Sequence, residues 1–205
     1  MALFITFEGG EGSGKSTQIR CLHRRLHQLA IPAILIREPG GTPLGDRIRY
    51  LIKQACQIPI SPLTELMLFN ASRSQLVKDI IQPGLNAGKI VLCDRFTDST
   101  IAYQSFGRGL DLGTVKEANE IATQGLKPDV TFLLDVPPEI GLSRKRSGVN
   151  DRFEQEDVAF HRRVREGFLK LVAQEPHRWA VIDSTLTREC IANLIWDKII
   201  RKIKK

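Results

Sequence analysis

The sequence predicts an α/β fold in which a parallel sheet is covered by helices on both faces. Five short apolar runs alternate with longer segments of helical period, which is the pattern of repeated βαβ units. The runs are apolar almost throughout rather than at every second residue, as strands buried on both faces must be. At 205 residues the chain suits one sizeable core, and a single domain over 1–205 is expected. In such sheets ligands sit beyond the C-terminal ends of the strands. The residues just past each run are therefore expected to face a common crevice.

The first run, Ala2 to Phe7, leads into GGEGSGKS at 9–16 and then a segment of helical period. This is G-x-x-x-x-G-K-[ST] between a strand and a helix, the context that gives it meaning. Gly9, Gly12 and Gly14 let successive N–H groups converge on one concavity, which the positive end of the helix reinforces, and a polyphosphate fits there. Gly10, Glu11, Ser13 and Thr17 complete the loop and its exit. Lys15 is placed to reach β- and γ-phosphates and the Ser16 hydroxyl to ligate a bridging Mg²⁺.

The second run, Ala33 to Ile36, is followed by REPGGTPLG at 37–45, where Pro39, Gly40 and Gly41 form a turn with Arg37 and Glu38 at its mouth. Arg49 lies about a turn into the next helix and can reach back. Pro62 to Gln82 reads as one long helix ended by Pro83-Gly84. Phe69 and Arg73 share a face of it. They are either a core residue with a solvated neighbour, or a stacking platform and planar donor for a nucleobase.

The third run, Ile90 to Cys93, closes on Asp94-Arg95. This is either a strand-end ion pair, or a carboxylate that organises a metal beside an arginine suited to phosphate. FTDSTIAYQSFGRG at 96–109 holds Ser99, Thr100, Tyr103 and Gln104, a polar set suited to a neutral heterocycle. After the fourth run, Val130 to Val136, Pro137-Pro138 starts a helix that runs into RKRSGVNDRFE. Arg144, Lys145, Arg146 and Arg152 surround Ser147-Gly148, so residues at about 143–153 read as a lid that carries positive charge onto bound phosphates. An amphipathic helix is expected from about Glu154 to Ala173 with HRRVR on its polar side. A last run, Ala180 to Ile182, and a helix from about Thr187 to Ile203 finish the chain.

The net charge of +7 is concentrated late: Glu139 to Lys205 carries 15 Lys+Arg against 10 Asp+Glu. A nucleic-acid footprint or a clamp for small anions would both account for it. Few aromatics are interleaved with the charges, which favours the clamp and no nucleic acid. No apolar stretch approaches the ~20 residues of a membrane span. The N-terminus lacks the charged region of a signal peptide, so a cytoplasmic protein without a membrane partner is expected. Cys21, Cys56, Cys93 and Cys190 form no C-x-x-C and read as small buried hydrophobes.

Taken in order, FEGGEGSGKST, REPGGT, FNASRSQ, DRFTDSTIAYQ, PDVTFLLDV and DRFE resemble the bacterial thymidylate kinases over essentially the whole chain. The resemblance implies a three-layer P-loop kinase fold with sheet order 2-3-1-4-5, a homodimer, and transfer of the γ-phosphate of ATP to dTMP with Mg²⁺. It implies that Phe69 stacks on thymine, that Arg73 bonds its edge, and that Thr100 and Gln104 stand at base-contacting positions. Arg95 and Arg49 would hold the dTMP phosphate, Tyr103 would lie where a 2′-hydroxyl would be, Glu11 near the sugar, and Asp94 near the metal. Glu38 falls within the same acceptor set. The loop holds no basic residue between Gly9 and Gly14, which matches members that supply a lid arginine; RKRSG is short, so Arg146 and Arg152 both stand as that residue, with Arg144 on ATP. A deoxynucleoside kinase and a nucleotide-dependent switch ATPase are the competing readings. The first needs a base for a 5′-hydroxyl, and the second leaves the Phe69, Arg73, Thr100, Tyr103 and Gln104 set without a use.

Overall fold

The computed structural model describes residues 2–54, 59–144 and 152–203. Strands β1 (Leu3–Glu8), β2 (Ala33–Arg37), β3 (Ile90–Asp94), β4 (Val130–Asp135) and β5 (Trp179–Asp183) match the expected runs to within one residue at either end. All pair in parallel, in the order β2-β3-β1-β4-β5. The register sets Phe7 beside Asp94, and Asp94 beside Arg37, so three strand ends finish level with one another.

Helix α1 (Lys15–Gln28) follows the phosphate loop, and α2 (Pro43–Gln54) follows the REPGGT turn. α3 (Pro62–Leu76) starts behind Ser61, whose hydroxyl accepts from Thr64 N at 3.2 Å. The expected stop at Pro83 does not occur. A wider π turn over Val77–Ile81 carries the chain into α4 (Gln82–Asn86), with Pro83 in its first turn. Proline is tolerated there because its missing N–H is not called on. The helix ends instead near Gly88, whose φ is 73°.

After β3, α5 (Thr97–Thr100) passes into a π segment over Ile101–Gly107, and α6 (Leu112–Thr123) leads to β4. α7 (Pro138–Ser143) precedes the lid, most of which lies outside the described residues. α8 (Val158–Gln174) starts later than expected, because the Asp157 carboxylate caps it by accepting from Phe160 N at 2.6 Å. Its HRRVR stretch is also not wholly polar: His161 and Val164 are buried while Arg162 and Arg163 are exposed. α9 (Arg188–Ile203) closes the described chain.

Leu3, Ile5 and Phe7 of β1 join Leu22 and Leu26 of α1 and Ile191, Ile195 and Ile199 of α9 in one core, while Phe4 joins Phe96 and Leu76 on the opposite face. This period of two, with both faces buried, is why the run showed no regular alternation. Of the described cysteines only Cys93 is buried; Cys190 is exposed on the first turn of α9, Cys21 is half-buried on α1 with its Sγ 3.4 Å from Arg188 Nη2, and Cys56 lies outside the described residues. Among the described residues no helix is long and apolar enough to cross a membrane.

Candidate active site

The ends of β1, β2 and β3 open into a cavity of about 400 Å³. At one end lies the phosphate loop. Gly9, Gly12 and Gly14 take φ of 138°, 66° and 85°. Gly12 and Gly141 of α7 touch back to back: a Cβ on either would collide with the other segment's backbone. Lys15 Nζ donates to Gly9 O at 2.9 Å, Gly10 O at 2.7 Å and Ser13 Oγ at 3.1 Å. The ammonium is thus folded onto its own loop, from which phosphate oxygens would draw it. Burial, then the nearby Arg95 charge, lowers its pKa from 10.5 to about 8.

Ser16 Oγ donates to Asp94 Oδ2 at 2.6 Å, and both residues line the cavity. A hydroxyl beside a carboxylate is a fitting partial donor set for Mg²⁺, which takes few protein oxygens and completes its shell with phosphate and water. Among the described residues no group of three or more His, Cys, Asp and Glu could hold a metal ion.

Arg95 adopts φ 72°, a conformation a non-glycine residue keeps only where its surroundings hold it. Here Arg95 N donates to Phe7 O at 3.0 Å, and the next amide, Phe96 N, donates to the buried Glu8 carboxylate at 2.7 Å. Glu8 also accepts from the Ser99 hydroxyl. Burial, then Asp98, pushes the Glu8 carboxyl up to about 8. Arg95 Nη1 donates to Gly9 O and to Ser99 Oγ, each at 3.1 Å. Its Nη2 reaches Glu11 Oε1 at 2.5 Å and Tyr103 Oη at 3.1 Å. The guanidinium therefore bridges the phosphate loop and the far wall.

That far wall holds Phe69, Arg73, Thr100, Tyr103 and Gln104, with Arg49 and Glu38 beside them. Arg49 Nη1 donates to Pro39 O at 2.9 Å. Arg73 is not the solvated neighbour of Phe69 but a buried hub. Its Nε and Nη2 donate to Glu38 Oε2 at 2.8 and 2.6 Å, Nη1 to Asn70 and Asn119, and Nη2 also to Thr100 Oγ1 at 2.9 Å. All five of its N–H groups are committed. As placed, Arg73 orients Glu38 and Thr100 rather than offering a spare donor to a base edge.

Arg144 lines the cavity, with its guanidinium 3.1 Å from Ser184 O and 3.4 Å from Gly12 O. Arg152 does not line it. Its guanidinium lies 3.0 Å from Glu65 Oε2 and donates to Ile60 O at 2.9 Å. Arg146 lies outside the described residues. Gly9 and Gly10 contribute carbonyls to Lys15 rather than wall. Ile52, Lys53 and Phe153 also line the cavity, and the buried Glu8 and Glu65 accept from the lining residues Ser99 and Gln104; none of the five stands out in the sequence as a site residue. Glu65 had a signal: it stands four residues before Phe69 and eight before Arg73, on their face of α3.

A parallel sheet in this order, with a phosphate loop after its central strand and a second polar wall across the cavity, defines a P-loop kinase. The thymidylate kinase family model matches residues 7–195. Over 199 residues the chain is 52% identical to a thymidylate kinase of Dehalococcoides mccartyi, spanning 97% of this chain and 96% of that one. It is 46% identical to one from Trichlorobacter lovleyi over 208 residues, 98% of each. The crystal structure of thymidylate kinase from Ehrlichia chaffeensis superposes with a TM-score of 0.79 at 36% identity, covering 97% of this chain and 98% of that one. The chain belongs to the thymidylate kinase family.

Proposed function

We propose that this chain transfers the γ-phosphate of ATP to dTMP, giving dTDP and ADP. The observation that carries this reading is one cavity with a polyphosphate cradle at one end and an aromatic and amide wall at the other, joined by Arg95. Glu11 to Thr17 and Arg144 hold ATP. Phe69, Thr100 and Gln104 face the base of dTMP, and Arg95 and Arg49 hold its phosphate. That phosphate is already an ionised nucleophile, so the site needs no general base. Lys15 leaves its loop carbonyls for the transferred phosphoryl group. Ser16 and Asp94 would hold Mg²⁺, directly or through water, and the ion would supply charge neutralisation to the bound phosphates. The further cation comes from Arg146 or Arg152 of the lid; Arg152 must first leave Glu65 and Ile60.

The protein acts as a homodimer. Leu44 and Leu51 of α2 and Leu63 and Met67 of α3 are about half exposed on two helices that pack together, an apolar face suited to a second copy. Sedimentation at micromolar concentration checks this; a monomer throughout would refute it.

The activity is tested by coupled ADP release with dTMP, dUMP, thymidine, dCMP and AMP. Turnover is expected with dTMP and not with thymidine. The reverse would make the protein a nucleoside kinase.

A further inference from the structure

We propose that Glu65 decides which pyrimidine the acceptor wall takes, as a positioning residue acting through Gln104; this rests on reading that wall as the dTMP site. Glu65 is wholly buried on α3. Its Oε1 accepts from Gln104 Nε2 at 2.8 Å and from Arg108 Nε at 3.2 Å, and its Oε2 lies 3.0 Å from Arg152 Nη1. A carboxylate offers only acceptors, and Arg108 holds this one in place whether or not Arg152 leaves it. The Gln104 amide then has one orientation, nitrogen to Glu65 and oxygen away from it.

Four residues earlier, Thr100 is polarised the opposite way. Its Oγ1 accepts from Arg73 Nη2 at 2.9 Å, which leaves its proton to be donated. Both residues line the cavity, so the wall presents an acceptor next to a donor. The imide edge of thymine or uracil, N3–H beside C4=O, is complementary to that pair. Cytosine presents a bare N3 beside an amino group and meets like with like at both positions. A site whose buried polar groups are left unpaired rejects such a ligand strongly. The determinant is thus a carboxylate that never touches the substrate.

The test compares kcat/KM for dTMP and dCMP in wild type, Glu65→Gln, Gln104→Met and the double variant. Glutamine at 65 can donate as well as accept, so the Gln104 amide loses its fixed sense. Glu65→Gln is expected to lower the preference for dTMP over dCMP by ~10-fold or more, mainly through the acceptor KM values. The KM for ATP should hold. In the Gln104→Met background the same substitution should leave the preference unchanged, since its effect runs through that amide. A loss shared equally by both acceptors, or an effect that survives in Gln104→Met, overturns the proposal. A check independent of any variant's folding uses ¹³C,¹⁵N-labelled wild type, in which dTMP should leave the scalar coupling across the Gln104 Nε2–H bond to Glu65 in place; loss of that coupling also overturns it. Wild type unable to phosphorylate dTMP would overturn the acceptor reading itself, a result distinct from these.

Discussion

The hydroxyl of Tyr103 donates to Glu11 Oε1 at 2.9 Å, tying the ring to the phosphate loop. Burial raises the Tyr103 pKa well above 10, so this donor persists at any ordinary pH. The ring itself is wedged edge-on against Phe153, Phe160 and Phe168. Held at tip and body, it cannot swing aside for an added hydroxyl.

Tyr103→Ala is therefore expected to narrow the preference for dTMP over its ribonucleotide analogue by ~10-fold or more, on the scale of other steric pockets. Tyr103→Phe should keep that preference and lower kcat/KM, because Glu11 and Arg95 lose their shared partner. Equal discrimination in wild type and the alanine variant would remove the ring from this role.

Lys15→Ala should abolish transfer while the fold survives, since its ammonium bonds only the loop it stands on. Its lowered pKa adds a second readout. Bound phosphates favour the charged form, so they raise that pKa from about 8. At pH 8, ATP binding should then take up roughly half a proton by this linkage, and none in the alanine variant. Calorimetry in buffers of different ionisation enthalpy measures the difference; equal uptake in both proteins would contradict it.

Glu8 gives a stability prediction with a definite sign. Its carboxyl is raised from 4.5 to about 8, so its contribution is fully present below 4.5 and is lost as pH rises through about 8. Glu8→Gln cannot ionise. Relative to wild type it should gain on the order of 4 kcal/mol between pH 4.5 and pH 9. Urea denaturation at both pH values checks this, and a difference that does not change with pH would contradict it.

Alanine at Arg146 or at Arg152 should lower kcat by ~10³-fold with little change in the KM for ATP, whereas Arg144→Ala should mainly raise that KM. Steady-state kinetics on the three variants and the Arg146/Arg152 double variant decide it. Near wild-type kcat in all four would place the further cation elsewhere.

The strands were legible because a parallel strand buried on both faces leaves a contiguous apolar run, and the chain turns polar where it enters the crevice: Glu8, Arg37, Asp94, Asp135 and Asp183 close the five strands. The phosphate loop was legible because its chemistry is local. The ties of Arg73 to Glu38 and of Gln104 to Glu65 were not, because they span 35 and 39 residues and become neighbours only once the sheet forms. Periodicity also reads charge as exposure, which is why the pattern sets His161 on the wrong face of its helix. The passage through Pro83 escaped for a similar reason: a π turn leaves no compositional mark.

The back-to-back contact of Gly12 and Gly141 bears on how this enzyme can change by mutation. In a randomised library selected for growth, both codons should return glycine alone, although neither residue has a side chain to contribute. At Gly141 the constraint is one of room, and at Gly12 the left-handed φ of 66° adds to it. A pair of such positions, one in the phosphate loop and one at the root of the lid, would escape recognition in a search for catalytic groups. It would nonetheless limit drug-escape variants as firmly as Lys15 does.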